Sequence, residues 1–245
     1  MVVEKANTIA ANLQIVDERI KAACARVGRA PEEVSLVAVS KMRSIAEIVE
    51  AYRCGARDFG ENRVEEAGTK VPQLRQEFAD DPATWHMIGH VQSRKAKQAV
   101  ALSDIIHSVD SLRLARRLER FAAEMEKSVP VLLEINVSGE PNKYGFPAWD
   151  RATSQQLIEE ARLLEPLTHL IVQGLMTMAP IVANPEDARP VFQRLREVRD
   201  LLRARCAFAT WTELSMGMTD DFEVAIEEGA TIVRTGRATF GPRGQ

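Results

Sequence analysis

Between Val34 and Arg234 the chain repeats one pattern eight times: a short apolar run, rich in β-branched residues, followed by a stretch of helical period. A run such as Val34–Val39 has almost no polar face, which suits a parallel strand covered on both sides. Parallel strands need long crossovers, and the helical stretches supply them. The runs are Val34–Val39, Arg57–Gly60, Trp85–Ile88, Ile105–Ser108, Val131–Val137, Leu170–Leu175, a brief one at Leu214, and Thr231–Arg234. Helices are expected near Ile45–Cys54, Val64–Phe78, Ser93–Ala101, Ser111–Lys127, Asp150–Leu164 and Asp220–Glu228. One more should begin between Pro185 and Pro190 and end near Arg205. Ser44 with Glu47 reads as a capping box, Gly55 and Gly229 as stops, and Pro190 as a first-turn residue. Eight such units in 245 residues predict a single (β/α)8 TIM-type barrel, an α/β fold. A doubly wound open sheet is the alternative, but the first strand is not followed by a Gly-rich GxGxxG loop.

Ahead of the first strand, Ile9, Leu13, Val16, Ile20 and Ala23 form one helical stripe closed by Gly28. The barrel is therefore expected to carry an extra N-terminal helix. The expected organisation is one domain over residues 1–245, with the helix at about 5–27 and the barrel at about 33–243.

The formal net charge is −3, with acids and bases interspersed, which gives no reason to expect nucleic acid or a membrane surface. The basic cluster Arg94-Lys95-Ala96-Lys97 lacks interleaved aromatics and reads as a solvated helix face. Cys24, Cys54 and Cys206 are odd in number and far apart, which argues against a disulfide framework or zinc knuckle. No apolar leader or membrane-spanning run is apparent, so a reduced, cytoplasmic, soluble protein is expected.

In a parallel barrel, the residues just past each strand line one crater where ligands bind. Here they are Lys41, Glu61-Asn62-Arg63, Gly89-His90, Asp110, Asn136 to Gly145, Met176-Thr177-Met178, Ser215-Met216-Gly217-Met218 and Arg234-Thr235-Gly236-Arg237. A lysine at a buried strand end loses hydration, which favours its neutral form and makes it a candidate to condense with an aldehyde. Small-residue loops after the last two strands stand where barrels often bind phosphate. A ligand with an aldehyde at one end and a phosphate at the other answers both, and pyridoxal 5′-phosphate is such a ligand.

Several ordered motifs resemble one family. They include Val37-Ala38-Val39-Ser40-Lys41, Phe59-Gly60-Glu61-Asn62, Trp85-His86-Met87-Ile88-Gly89, His107-Ser108-Val109-Asp110 and Lys143-Tyr144-Gly145-Phe146. The most specific are Leu214-Ser215-Met216-Gly217-Met218-Thr219-Asp220-Asp221 and Val233-Arg234-Thr235-Gly236. They resemble the pyridoxal phosphate homeostasis proteins, which look like the barrel domain of bacterial alanine racemase standing alone. The resemblance implies that Lys41 holds the cofactor as an aldimine. It implies that Ser215, Gly217 and the Gly236 loop hold the phosphate, that Arg234 faces the pyridine nitrogen, and that Asn62 lies beside the ring. Arg63, Arg94, Asn142 and Arg237 stand where many members carry tyrosine, asparagine, serine and threonine. An arginine at 237 retains the means to pair with the anion.

The resemblance implies a cofactor carrier that maintains vitamin B6 supply, with pyridoxal phosphate-requiring apo-enzymes as candidate recipients; a monomer is expected, since racemase-like dimers depend on a further domain. An arginine at the pyridine nitrogen leaves the ring a weak electron sink. That disfavours transamination; racemisation remains open in principle, because alanine racemase is similar here, but it needs acid–base groups on both faces of the ring. In alanine racemase those are completed by a further domain, so no catalytic activity is expected. A small amino-acid racemase is the alternative reading, and a cofactor-free barrel acting on a phosphorylated metabolite is a third. His86 and His90, four apart, read as a packed and a loop histidine rather than a metal pair. Lys143 reads as a solvated loop residue, the methionines near the crater as cavity wall, and Glu134 stays unassigned.

Overall fold

The structure, a computed structural model, describes residues 8–242. Residues 5–7 of the expected N-terminal helix and residue 243 at the expected barrel end lie outside the described residues. Helix α1 spans Ile9–Arg26, capped by the Thr8 hydroxyl, which accepts from the Ala11 N–H. Its predicted stripe faces inward, with Ile9, Val16, Ile20 and Ala23 buried. The chain leaves it through Gly28 at φ +67°, where a side chain would be strained.

The barrel strands are β1 (Ser35–Val39), β2 (Asp58–Glu61), β3 (Thr84–Met87), β4 (Ile105–Val109) and β5 (Val129–Asn136). A two-residue strand β6 (Phe146–Pro147) follows, then β7 (Leu170–Met176), β8 (Glu213–Ser215) and β9 (Ile232–Thr235). The order β4-β3-β2-β1-β9-β8-β7-β5 is closed by β4 pairing with β5, and every pairing is parallel. The eight-stranded barrel is thus closed, and the open-sheet alternative is excluded. Strand β6 merely extends the carboxyl end of β5, Ile135 opposite Phe146. The crossover helices are α2 (Ile45–Arg53), α3 (Val64–Glu77), α4 (Ala96–Leu102), α5 (Leu112–Glu124), α6 (Arg151–Arg162), α7 (Arg189–Arg205) and α8 (Phe222–Glu227). The Ser44–Glu47 capping box opens α2, and Pro190 sits in the first turn of α7. Ser93–Lys95 forms a 3₁₀ turn rather than the first turn of α4. A single-turn helix α9 (Arg237–Phe240) follows β9 and is too short to leave a periodic trace in the sequence.

Alternation along the strands divides two environments. Ala38, Phe59, Trp85, Met87, Ile106, Leu133, Leu214 and Val233 join the large apolar layer between barrel and helices. Inside the barrel the apolar cluster is small: Val37, Leu132, Met176 and Ile232. Polar side chains take the remaining inward positions of several strands: His86, His107, Glu134, Ser215 and Arg234, all buried. Buried polar groups need partners, and those partners organise the candidate site.

Candidate functional site

Lys41 lies two residues past the end of β1, half-buried, in a turn that precedes α2. The next residue, Met42, has φ +58°, a left-handed conformation costing a non-glycine residue about 1–2 kcal/mol. Three buried or half-buried groups hold that turn. The Met42 N–H donates to Glu66 Oε1, Lys70 Nζ donates to the Ser40 carbonyl at 3.0 Å, and Ser40 Oγ donates to Glu61 Oε1 at 2.7 Å. Lys70 also pairs with Glu66 and, at 3.4 Å, with Glu61. Burial raises the Glu61 carboxyl pKa, opposed by the Ser40 hydrogen bond and the Lys70 charge. Glu61 therefore serves the lysine turn from below instead of opening on the crater. Lys70 was not singled out from sequence, because a lysine inside a helical period looks like any surface lysine.

Strand β1 neighbours β9, with Val37 opposite Arg234 and Ala38 opposite Thr235. The lysine turn and the Thr235-Gly236-Arg237 segment therefore leave the barrel side by side. Arg234 is buried; its Nη1 donates to Ser215 Oγ at 2.6 Å and its Nη2 to the Thr177 carbonyl at 2.9 Å. Burial lowers its pKa to about 10, against the attraction of Asp221 and Glu134, so it remains a cation at neutral pH. The Ser215 side chain is buried too, its hydroxyl lying between Arg234 and His107 Nδ1 at 2.9 Å. The sequence pairs Ser215 with phosphate; in the structure its hydroxyl is engaged inside the barrel, and its carbonyl accepts from the Thr177 N–H at 3.1 Å as β8 pairs with β7.

The fold demands glycine at 217 but not at 236. Gly217 has φ +90°, and a Cβ there would lie 2.6 Å from Ala225 Cβ and 2.9 Å from Phe222 Cα. The loop after β8 is thus pressed onto α8 where only glycine fits. Gly236 has φ −110°, and a Cβ there would meet nothing nearer than Val39 at 3.6 Å. Gly217→Ala is expected to cost about 2–4 kcal/mol in urea unfolding, from left-handed strain and overpacking. Gly236→Ala is expected to unfold within about 0.5 kcal/mol of the parent while binding inorganic phosphate or a phosphorylated ligand less tightly. Equal destabilisation by both would contradict this division. Arg237 pairs with Asp220 across the two loops, both side chains largely exposed, so its charge is already at the rim.

Asn62 follows β2, half-buried, with its Oδ1 buried and unpartnered among the described residues. Its backbone is fixed by Gly89, where a Cβ would fall 2.2 Å from the Asn62 carbonyl oxygen. Asn62, Arg63, Gly89, His90, Gln92 and Lys95 line a cavity of about 510 Å³ at this end. A larger one, about 600 Å³, lies at the opposite end between α1 and the starts of β1 and β2, away from the lysine and the glycine loops.

Glu134 faces the barrel interior, 4 % exposed, with Oε2 unpartnered among the described residues. Burial, reinforced by Asp110 and opposed by Arg234, raises its pKa from 4.5 to about 7. The folded chain holds this proton more tightly than the unfolded chain. The group's contribution is complete below the unfolded pKa and is lost as pH rises toward the folded one. Between about pH 4.5 and 7 the loss amounts to about 3 kcal/mol. Glu134→Gln should flatten the dependence of stability on pH over that range, read by urea melts at pH 5 and pH 8. An unchanged slope would contradict the assignment.

His86 and His90 do not converge. His86 points inward to His107 and Asp58, whereas His90 pairs with Asp110 at 2.9 Å and stacks on Tyr144. Lys143 is not a freely solvated residue, as the sequence suggests. It is half-buried and held by Glu140 at 2.6 Å and the Met178 carbonyl at 3.1 Å. Of the methionines, Met176 and Met216 are buried wall, and Met178 is exposed.

Comparison with known proteins places this arrangement. The family described as "Alanine racemase, N-terminal domain" matches residues 9–244. The pyridoxal phosphate homeostasis protein of Aquifex aeolicus is 42% identical over 231 residues, covering 94% of this chain and 96% of that protein. Its counterpart in Pseudomonas aeruginosa is 40% identical over 237 residues, covering 97% and 96%. Among solved structures, PipY of Synechococcus elongatus with pyridoxal phosphate bound superimposes with a TM-score of 0.80 at 37% identity, over 96% of this chain and all of that one. Alanine racemase of Corynebacterium glutamicum shares the fold at 15% identity, with a TM-score of 0.70 over 61% of its length. With the lysine turn after β1, the arginine on β9 and nearly end-to-end matches at these identities, the chain belongs to the pyridoxal phosphate homeostasis protein family, on the barrel of the alanine racemase N-terminal domain.

Proposed function

We propose that this protein binds pyridoxal 5′-phosphate reversibly and maintains its supply. In this reading Lys41 is the amine that captures the aldehyde, Arg234 faces the ring nitrogen, and Asn62 flanks the ring. Ser215 at the end of β8 with Gly217 just past it, and Gly236 and Arg237 just past β9, enclose the phosphate. The observation that carries the reading is the β1–β9 register, which sets the lysine turn beside the buried arginine and both beside the glycine loop.

The residues suit such a guest. Asn62 Oδ1 is an acceptor without a partner among the described residues. Arg234 carries five N–H groups, of which the Ser215 and Thr177 bonds use two. At Gly236 a Cβ would make only ordinary contact, with Val39 at 3.6 Å. When bound, the cofactor supplies an electrophilic carbonyl and a phosphate anchor. The chain's own contribution is to present the amine on a braced turn and to hold a cation at the ring nitrogen that keeps its proton. Withholding a proton from that nitrogen disfavours transamination; racemisation would further need acid–base groups on both faces of the ring, and that requirement favours a carrier without catalytic activity over a racemase. Release to apo-enzymes, a monomeric, one-domain state and a cytoplasmic setting complete the reading. The three cysteines, all free, suit that compartment.

Titration of the purified protein with pyridoxal phosphate tests the proposal. A visible band saturating near one equivalent, with no interconversion of D- and L-alanine, is the expected result. Turnover of alanine would overturn the carrier role, and absence of a band would overturn binding.

A further inference from the structure

A line of hydrogen bonds crosses the barrel interior. Arg234 Nη1 meets Ser215 Oγ at 2.6 Å, Ser215 Oγ meets His107 Nδ1 at 2.9 Å, His107 Nε2 meets His86 Nδ1 at 2.9 Å, and His86 Nε2 meets Asp58 Oδ1 at 2.9 Å. The members come from β9, β8, β4, β3 and β2. All except Asp58 are less than 5 % exposed. Asp58 lies in the wall of the large cavity at the opposite end of the barrel.

The two ends of this line fix its proton arrangement. An arginine only donates, so Ser215 Oγ must accept from Arg234. The hydroxyl proton then needs an acceptor, and among the described residues Ser215 Oγ contacts only Arg234 and His107. His107 Nδ1 must therefore accept, which puts the His107 proton on Nε2. That proton is donated to His86 Nδ1, leaving the His86 proton on Nε2 for the Asp58 carboxylate, which only accepts. Every polar atom along the line is satisfied with both rings neutral. The competing arrangement, a charged His86 that drives His107 to carry its proton on Nδ1, has both Arg234 and His107 donating to Ser215. The buried hydroxyl is then left without an acceptor, at a cost of about 1–3 kcal/mol. Complete burial of His107, with the Arg234 charge nearby, also lowers its pKa well below the ordinary value.

We infer that His107, with His86 and Asp58 behind it, is a positioning residue. It takes the Ser215 proton, turns the serine lone pair toward Arg234, and so sets the guanidinium at the mouth of the barrel. For the cofactor's ring this role rests on the function proposed above; for the chain of bonds it does not. It also assigns the Ser215 hydroxyl a task other than donating to phosphate.

Two measurements test it separately. Long-range proton–nitrogen NMR of the ligand-free protein, with histidines labelled, reads the tautomers directly, and His86→Gln and His107→Asn assign the signals. Both rings neutral with the proton on Nε2 at pH 7.5 is the expected result; a proton on Nδ1 of either ring, or a charged ring, overturns the inference whatever the ligand. The second measurement is pyridoxal phosphate binding. His107→Leu fills the space without an acceptor and should weaken binding about tenfold. His107→Asn keeps an acceptor near the position of Nδ1 and should recover most of the loss. Equal loss in both variants, with the parent binding normally, overturns the positioning role. Failure of the parent to bind overturns the proposed function and leaves the NMR result to decide the chain.

Discussion

Lys41→Ala is expected to remove covalent capture of pyridoxal phosphate entirely while leaving a folded barrel. The covalent link is the one contact that a folded, otherwise intact pocket cannot replace. Affinity should fall by at least about 100-fold, equivalent to about 3 kcal/mol. The turn that carries Lys41 is held by Ser40, Met42, Glu61, Glu66 and Lys70, none of which is altered. Unfolding free energy should therefore change by no more than about 1 kcal/mol. The absorption spectrum of the variant with added cofactor, beside its urea melt, checks both halves. A retained visible band with native stoichiometry would place the capturing amine elsewhere.

Arg234→Met is expected to have the largest effect on the fold. It preserves much of the volume of the side chain but removes the donors to Ser215 Oγ and the Thr177 carbonyl. It also removes the cation that offsets Glu134 inside the barrel and Asp221 at the start of α8. Removing one partner from a buried charged network costs about 3–5 kcal/mol. The midpoint in urea should drop accordingly, and the Glu134 and Asp221 carboxyls should rise further in pKa. Arg234→Lys keeps the charge with fewer and differently placed donors and should fall between. A melt of Arg234→Met that matches the parent would show that the interior does not depend on this cation.

Much of the fold was legible because its signals are periodic. The β-branched run at Val34–Val39, the Ser44–Glu47 box and the stripe from Ile9 to Ala23 each settle an element from local chemistry. Lys41 falls just past the first strand, as its sequence places it, but the turn that holds it at Met42 rests on contacts from α3 that no local pattern reveals. The short elements β6 and α9 carry no repeat for a pattern to reveal. In the proposed site, Lys41, Gly217, Arg234 and Gly236 could be singled out because strand ends and glycine loops fall at fixed places in a parallel barrel. The inner polar line was not. His86 and His107 sit on strands whose apolar neighbours suggest simple core, and the contact between His107 and Ser215 joins residues 108 apart in sequence. Nor did alternation alone decide the side to which Glu134 turns; the closed barrel places it inside.

The central claim is that Lys41 is the anchor for pyridoxal phosphate. The most direct measurement is peptide mass mapping of the protein loaded with the cofactor and reduced with borohydride. A single phosphopyridoxyl group on the peptide containing Lys41, formed as the visible band bleaches, is the predicted result. A band with the adduct on Lys143 or another lysine, or no adduct at all, would contradict the account.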